Sequence, residues 1–345
     1  MGSWLTTDFY SIIAAGFVVG IVVGLTGMGG GALMTPALIF LGVGGASAVV
    51  TADLTAAAIS RSAGAVTHAR QGSPNMTLAM WLVIGSVPAA LCGPWLIHLI
   101  AGGDPGSLND LLLECIGFAL LFAAATYALR LYVNLRRTHD PDRERADPDP
   151  TIRPLVTLCV GALGGLLVGV TSVGAGSVIM IALLMLYPGL SPVRLVGTDL
   201  VQAVPLVLAA AVSNIVINGL DWHILIPLVL GSTPGTVVGA RLAPRVPQSY
   251  IRRGIVAVLT MSGVALLDKS RWAPLGAGKD DTHPFLVAGV GVAMVVLVPL
   301  AWGAIRRTEG LPMFGAPTVA ELEGDPGAAP HRTVSGVGDD TTQLP

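Results

Sequence analysis

Long apolar segments recur along most of this chain, and they limit the folds open to it more than any other feature does. Each runs for about 18–25 residues, which as a helix is long enough to cross a hydrocarbon core of about 30 Å. Only 12% of the 345 residues are charged, whereas soluble domains carry about 25%. The short alternating segments of an outer-membrane barrel are missing from the sequence. We therefore predict an all-α, polytopic membrane protein.

The apolar runs predict eleven helices, two of them short. A helix of 14 residues reaches only about 21 Å, which is less than the thickness of a bilayer core. The two short helices are 30–43 and 175–187. The remaining predicted helices are 9–26, 47–69, 76–101, 108–135, 154–171, 192–217, 222–241, 250–268 and 284–305.

A charged, proline-rich stretch at 136–153 divides the chain into two membrane parts, 9–135 and 154–268. An additional transmembrane helix is expected at 284–305, followed by a tail at 308–345 that is rich in Gly, Pro, Asp and Thr. Such a composition has too few large apolar residues to form a core, so we expect this tail to be disordered.

Lysine and arginine residues predict the orientation, because they concentrate in the cytoplasmic loops of membrane proteins. With 136–153 in the cytoplasm and eleven spans alternating from there, 16 of the 19 basic residues fall on the cytoplasmic side. This arrangement places the protein in the plasma (inner) membrane, with its N-terminus outside and its C-terminus and tail in the cytoplasm.

The two membrane parts repeat each other. GLTGMGGGA at Gly24–Ala32 aligns with GVTSVGAGS at Gly169–Ser177, at an offset of 145 residues. At an offset of 146, TADL aligns with GTDL, which pairs Asp53 with Asp199. With five spans in each part, the second part enters the membrane from the opposite side, so we predict two inverted repeats and an extra C-terminal helix. Re-entrant short helices would change this parity, although the charge bias favours spanning ones.

These motifs resemble those of the sulfite exporter TauE/SafE family of membrane transporters. The resemblance is carried by GLTGMGGGALMTPAL and its counterpart in the second part, by GTDL, and by DWHILIPLVLGSTPGTVVGARLAP at Asp221–Pro244. It covers about 10–268, and the helix near 284–305 looks like an addition to the family core. The resemblance implies export of small anions, such as sulfite and organosulfonates, across the plasma membrane.

Each glycine motif is expected to break a membrane helix just before a short helix. Broken backbone is tolerated in a bilayer only against protein or a wet cavity, and the N–H groups at a helix start favour an anion. Hydroxyls and two longer side chains would complete the substrate site. The predicted site residues are Thr26, Gly27, Gly29, Gly30, Gly31, Thr171, Ser172, Gly174, Gly176, Ser177, Arg61 and Gln202. The alternative is that the glycines only let helices pack closely.

Ionisable side chains inside spans are costly and are usually functional or paired. Asp53, Asp199 and His68 are the candidates for proton coupling, since a carboxyl group or an imidazole can bind and release a proton as access alternates. The alternative for the two carboxylates is a structural role, which for Asp199 includes a pair with Arg194. Arg61 is expected to hold the anion or pair with an acid, or else to extend to the interface.

The sequence contains no motif of an enzyme, a bound cofactor or a metal site. We predict a secondary transporter, not an enzyme, that exports a small oxyanion such as sulfite or an organosulfonate. Its expected partners are the anion, the lipid bilayer and protons, and no nucleic acid. A passive anion channel or facilitator of the same fold is the main alternative, and a membrane enzyme or assembly factor is the other.

Overall fold

The computed structural model describes residues 7–26, 30–68, 74–137, 152–174, 178–187, 189–190, 192–246, 248–270 and 284–308. These residues form α-helices and one short 3₁₀ turn at Ala243–Arg245, with no strand among them. The helices are α1 (Thr7–Thr26), α2 (Gly31–Leu41), α3 (Ala46–His68), α4 (Met76–Ile100), α5 (Pro105–Arg137), α6 (Pro154–Thr171), α7 (Val178–Leu186), α8 (Pro192–Asn218), α9 (Trp222–Leu242), α10 (Gln248–Lys269) and α11 (Pro284–Thr308). The all-α prediction is confirmed, and each predicted helix has a counterpart.

Helix α2 has 11 residues and is shorter than predicted. Helix α7 has 9 described residues, and its predicted start at 175–177 lies outside the described part of the chain. Helix α2 ends at Leu41 because Gly42 takes a left-handed conformation with φ of 69° and donates its N–H to the Ile39 carbonyl. Helix α5 starts three residues before its predicted start at 108, because Pro105 occupies its first position and Asp104 accepts a hydrogen bond from the Ser107 N–H.

Six of the described helices are long and apolar enough to cross a membrane, judged by length and composition. Their spans are Asp8–Thr26, Met76–Ile100, Pro105–Leu129, Pro154–Thr171, Gly197–Asn218 and Trp222–Leu242. Large apolar side chains on them, such as Leu99 (80% exposed) and Leu155 (76% exposed), point away from the protein. Lipid is the surrounding that suits such a surface. Spanning by the other five helices remains a prediction.

Glycines bring two pairs of helices into close contact. Helix α1 packs along α9, and α4 packs along α6. A Cβ placed on Gly20 would lie 2.6 Å from the Ser232 carbonyl oxygen, and one on Gly165 would overlap the Ser86 carbonyl oxygen. Gly20 corresponds to Gly165 in the repeat, and Ser86 corresponds to Ser232. The two halves therefore make matching contacts, each through a helix of the other half.

Matching caps support the same internal repeat. Asn75 accepts a hydrogen bond from the Leu78 N–H at 3.0 Å and so caps the start of α4. Asp221, which lies 146 residues later, caps α9 by accepting from the His223 N–H at 2.9 Å. The equivalent helices thus begin at equivalent residues. The inversion of one half relative to the membrane remains a prediction.

Two side chains hold the helices that lead to the site. Asn109 of α5 accepts a hydrogen bond from the Ala46 N–H at 3.0 Å, at the start of α3. Lys269 at the end of α10 donates to the Ile39 carbonyl at 3.1 Å, near the end of α2. A cation at the C-terminal end of a helix is stabilised by the helix dipole. Helices α2 and α3 are thereby fixed at one end.

Candidate functional site

The end of α6 lies directly against the start of α2. We call Gly30 and Gly31, which lead into α2, the first break, and residues 172–174, which follow α6, the second break. Gly31, the first residue of α2, is buried, and a Cβ at this position would overlap the carbonyl oxygen of Ser172. Only glycine allows this approach of one backbone to the other. The two glycine motifs, 145 residues apart in sequence, therefore meet in the fold.

Asp53 lies at this meeting point and connects three elements. Its side chain is 3% exposed. The Thr35 hydroxyl of α2 donates to Asp53 Oδ2 at 2.6 Å, and the Ser172 hydroxyl donates to the same oxygen at 2.8 Å. A buried carboxyl group without such partners would be costly. A carboxyl group of the first half is therefore solvated by hydroxyls from both halves.

The backbone of the second break is unusual at two residues. Ser172 has φ of 60°, which is rare for a residue with a side chain, and its N–H bonds to the Val168 carbonyl at 2.9 Å. Gly174 follows with φ of 110°, a conformation that disfavours any L side chain. A left-handed conformation of a non-glycine residue costs about 1–3 kcal/mol and is frequent at functional sites. Here the left-handed conformation of Ser172 brings its hydroxyl within hydrogen-bonding distance of Asp53.

A second carboxylate, Asp199, is linked to the first through Arg61, whose charge interacts with both. Arg61 of α3 is half-buried and interacts electrostatically with Asp53 and Asp199. Asp199 of α8 is buried, and the Gln202 amide donates to its Oδ1 at 3.1 Å. We define the central cluster as Thr35, Asp53, Arg61, Ser172, Asp199 and Gln202. It combines side chains of α2, α3 and α8 with the end of α6.

Two predicted hydroxyl donors, Thr26 and Thr171, form hydrogen bonds within their own helices. Thr26 donates to the Val22 carbonyl at 2.8 Å, four residues back along α1. Thr171 donates to the Leu167 carbonyl at 2.6 Å and accepts from the Val173 N–H at 3.1 Å. The geometry thus brings Ser172 to the central cluster, whereas Thr26 and Thr171 complete helix ends.

The remaining predicted site residues divide into two groups. Gly30 precedes α2 with helical backbone angles and no side-chain cap. Gly27, Gly29, Gly176 and Ser177 lie outside the described residues, as does the side chain of His68 at the end of α3. Their roles stay as predictions.

Sequence reasoning missed Thr35 as a partner of Asp53. The signal available was a single hydroxyl residue inside a short apolar helix, GALMTPALIFL. It also missed a polar chain between α4, α8 and α6. His98 Nε2 lies 2.9 Å from Asn218 Oδ1, the Asn218 amide donates to Asn214 at 3.1 Å, and Asn214 donates to the Gly169 carbonyl at 2.9 Å. This chain holds three helices together beside the second break.

The repeat does not make the two carboxylates equivalent. Thr35 corresponds to Met180 at an offset of 145 and to Ile181 at an offset of 146, and neither side chain has a hydroxyl. Arg61 corresponds to Val207, and Gln202 corresponds to Ala56. Asp53 accepts from hydroxyls of both halves, and Asp199 accepts from the amide of Gln202, a residue that the first half replaces by alanine.

Comparisons with known proteins indicate a family of membrane transporters. The family model described as "Sulfite exporter TauE/SafE" matches residues 12–266. The "Probable membrane transporter protein YjnA" of Bacillus subtilis is 35% identical over 257 residues, which cover 74% of this chain and 99% of that protein. The "Probable membrane transporter protein YdhB" of the same organism is 25% identical over 258 residues, with the same coverage. No solved structure matches significantly. This chain belongs to the sulfite exporter TauE/SafE family of membrane transporters.

Proposed function

We propose that this protein is a secondary transporter that exports a small oxyanion, sulfite or an organosulfonate, across the plasma membrane together with a proton. The observation that carries the proposal is the position of Asp53, which accepts hydrogen bonds from Thr35 and Ser172 where the two glycine breaks meet. The family membership supports an oxyanion of the sulfite class as the substrate.

Anion binding requires positive charge and hydrogen-bond donors. In the central cluster, Arg61 supplies the charge, and its planar guanidinium matches the geometry of an oxyanion. The N–H groups at the start of α2 add further donors next to Ser172. The hydroxyls of Thr35 and Ser172 complete the set once they turn from Asp53 to the anion.

Protonation of Asp53 would make those hydroxyls available. With Asp53 and Asp199 ionised and Arg61 charged, the three side chains carry a net charge of about −1, which repels an anion. A proton on Asp53 removes one negative charge and weakens its hold on the Thr35 and Ser172 hydroxyls, because an ionised acceptor makes the stronger hydrogen bond. Proton binding and anion binding therefore favour each other at this site.

Because proton binding and anion binding favour each other, the proton and the anion are expected to move in the same direction. A proton and a monoanion, such as hydrogen sulfite or an organosulfonate, that bind together cross the membrane together, so each cycle moves one neutral acid. A cell that produces the anion internally would export it down the gradient of that acid. Alternating access would come from movement of one half against the other around the two breaks. A passive channel of the same fold remains the second candidate, and it needs no such movement.

Flux into proteoliposomes tests the proposal. Purified full-length protein is reconstituted, and uptake of labelled sulfite is measured with inward gradients of sulfite alone and of sulfite plus protons. We expect uptake that rises with the inward proton gradient and falls at least tenfold in Arg61→Gln. Uptake no faster than in protein-free vesicles, for sulfite and for sulfonates alike, would contradict the proposal.

A further inference from the structure

One buried acceptor in the central cluster has no hydrogen-bond partner among the described residues. Among the residues that the structure describes, the side-chain oxygen of Gln202 makes no hydrogen bond, although the residue is 0% exposed. A buried carbonyl oxygen without a donor is destabilising, and native proteins rarely leave one unpaired. The oxygen is closed off from solvent in this structure, so a donor from another molecule reaches it only in a state in which the central cluster opens.

The orientation of the Gln202 amide is fixed by its neighbour. Its nitrogen donates to Asp199 Oδ1 at 3.1 Å. Reversal of the amide would set its oxygen against the carboxylate oxygen, which is electrostatically unfavourable. The free position is therefore an acceptor, and the group needed to satisfy it is an O–H or N–H donor.

The other buried side-chain oxygen without a partner among the described residues, that of Ser86, is explained by helix packing. The Ser86 hydroxyl is also buried without a partner in the described part of the chain. It lies on α4, where the backbone of Ser86 packs against Gly165 of α6. Its counterpart Ser232 lies at the matching α1–α9 contact, so a serine at this place belongs to the repeat. Gln202 has Ala56 as its counterpart, and no packing rule of the repeat requires an amide there.

We propose that the substrate carries its own hydrogen-bond donor, a hydroxyl or an ammonium group, which Gln202 Oε1 accepts while Arg61 holds the anionic end. The preferred substrate is then a small compound with one anionic group and a donor at its far end, an anion if the donor is a hydroxyl and a zwitterion if it is an ammonium group, in preference to an anion with an apolar end. This inference rests on the proposed function. It adds a specificity-determining residue and narrows the substrate class.

A series of three matched sulfonates provides the test. Propane-1-sulfonate, 2-hydroxyethanesulfonate and 2-aminoethanesulfonate have the same anionic group and the same number of chain atoms, and they differ in a terminal methyl, hydroxyl or ammonium group. Their dissociation constants are measured by titration calorimetry on the purified full-length protein. We expect the hydroxyl or the ammonium compound to bind at least about fivefold more tightly than the methyl compound, the size of one neutral hydrogen bond.

Variants identify the acceptor. Gln202→Leu should bring the dissociation constants of the three sulfonates within about twofold of one another, and Gln202→Met serves the same purpose if the first variant does not fold. Ser86→Ala is the matched control, since it removes the other unpartnered oxygen, and it should keep the preference. Equal binding of the three sulfonates, or a preference that survives in the Gln202 variants, would overturn the inference. Binding of sulfite without any of the sulfonates would also overturn it, whereas the absence of binding by sulfite and sulfonates alike would overturn the proposed function.

Discussion

Ser172 donates a hydrogen bond to Asp53 Oδ2 at 2.8 Å, although the two residues lie 119 positions apart in the sequence. Ser172 ends α6 of the second half, and Asp53 belongs to α3 of the first half. The contact therefore crosses between the halves at the place where Gly31 packs on the Ser172 backbone. Any movement of one half against the other changes the surroundings of this carboxyl group.

Removal of either hydroxyl that donates to Asp53 should weaken anion binding. Thr35→Val and Ser172→Ala each delete a donor that turns to the anion, and one such hydrogen bond contributes about 1–1.5 kcal/mol. We expect the dissociation constant for sulfite to rise about five- to tenfold in each variant, as measured by titration calorimetry. Thr260→Val is the control, because the Thr260 hydroxyl donates to the Val256 carbonyl within α10 at 2.8 Å. Affinities equal to that of the parent protein would show that these hydroxyls do not contact the anion.

Asp53→Asn should separate anion transport from proton transport. The amide cannot bind and release a proton in the physiological range, but it keeps the size of the side chain and an oxygen for Thr35 and Ser172. We expect exchange of labelled for unlabelled sulfite to continue, while the response of net uptake to a proton gradient disappears. Asp199→Asn provides the comparison, since the coupling role is assigned to Asp53. If Asp53→Asn still responds to the proton gradient and Asp199→Asn does not, the assignment of the two carboxylates is wrong.

The helices could be predicted from the sequence because each apolar run determines its own helix, and charged or proline-rich stretches end it. The repeat was also visible, since Asp53 and Asp199 align at a fixed offset. The contacts of Thr26 and Thr171 follow a local rule, in which a threonine near a helix end bonds to the carbonyl four residues back. That rule predicts both of these bonds from the sequence.

The partners of Asp53 could not be predicted in this way. Thr35 and Ser172 reach it because the two breaks meet, and no periodicity within a helix encodes a contact over 119 residues. The sequence also did not predict that α1 and α4 of the first half pack against α9 and α6 of the second half. Gly20 and Gly165 read as small residues suited to close packing, but their partners, the backbones of Ser232 and Ser86, emerge only from the assembled fold.

Alanine at the glycine contacts should destabilise both helix pairs. In Gly165→Ala the new methyl group meets the Ser86 backbone, and in Gly20→Ala it meets the Ser232 backbone, neither of which can move freely. Such overpacking costs about 1–3 kcal/mol, and we expect a lower melting temperature of the detergent-solubilised protein. Gly254→Ala is the control, because nothing lies within 4 Å of that position, and alanine favours a helix by about 1 kcal/mol. Equal melting temperatures for all three variants would contradict the close contact.

The protection of backbone amides at the start of α5 against hydrogen exchange should depend on the protonation of Asp104, and therefore on pH. The carboxylate of Asp104 accepts hydrogen bonds from the Ser107 N–H and hydroxyl, both at 2.9 Å, and these bonds lower the pKa of Asp104 below its ordinary value. A lowered folded-state pKa means that the stabilisation is present above the unfolded-state pKa and is lost as the pH falls through the folded-state pKa.

Hydrogen exchange of residues 104–110 in the parent protein and in Asp104→Ala measures this cap. We expect stronger protection of the parent protein at pH 6, with the difference between the two proteins disappearing as the pH falls below about 4, the ordinary value for aspartate. A difference that stays constant over this range would show that the charge of Asp104 does not stabilise the helix start.

Counterflow in proteoliposomes tests the central claim most directly, because it separates a transporter from a channel. Vesicles that contain the full-length protein are loaded with unlabelled sulfite and diluted into a trace of labelled sulfite, with no proton gradient and no membrane potential. A transporter with alternating access exchanges one for the other, so labelled sulfite should transiently accumulate inside above its external concentration, and Arg61→Gln should abolish this overshoot. Labelled sulfite that rises only to equal concentrations, without an overshoot, would contradict the account and indicate a passive channel.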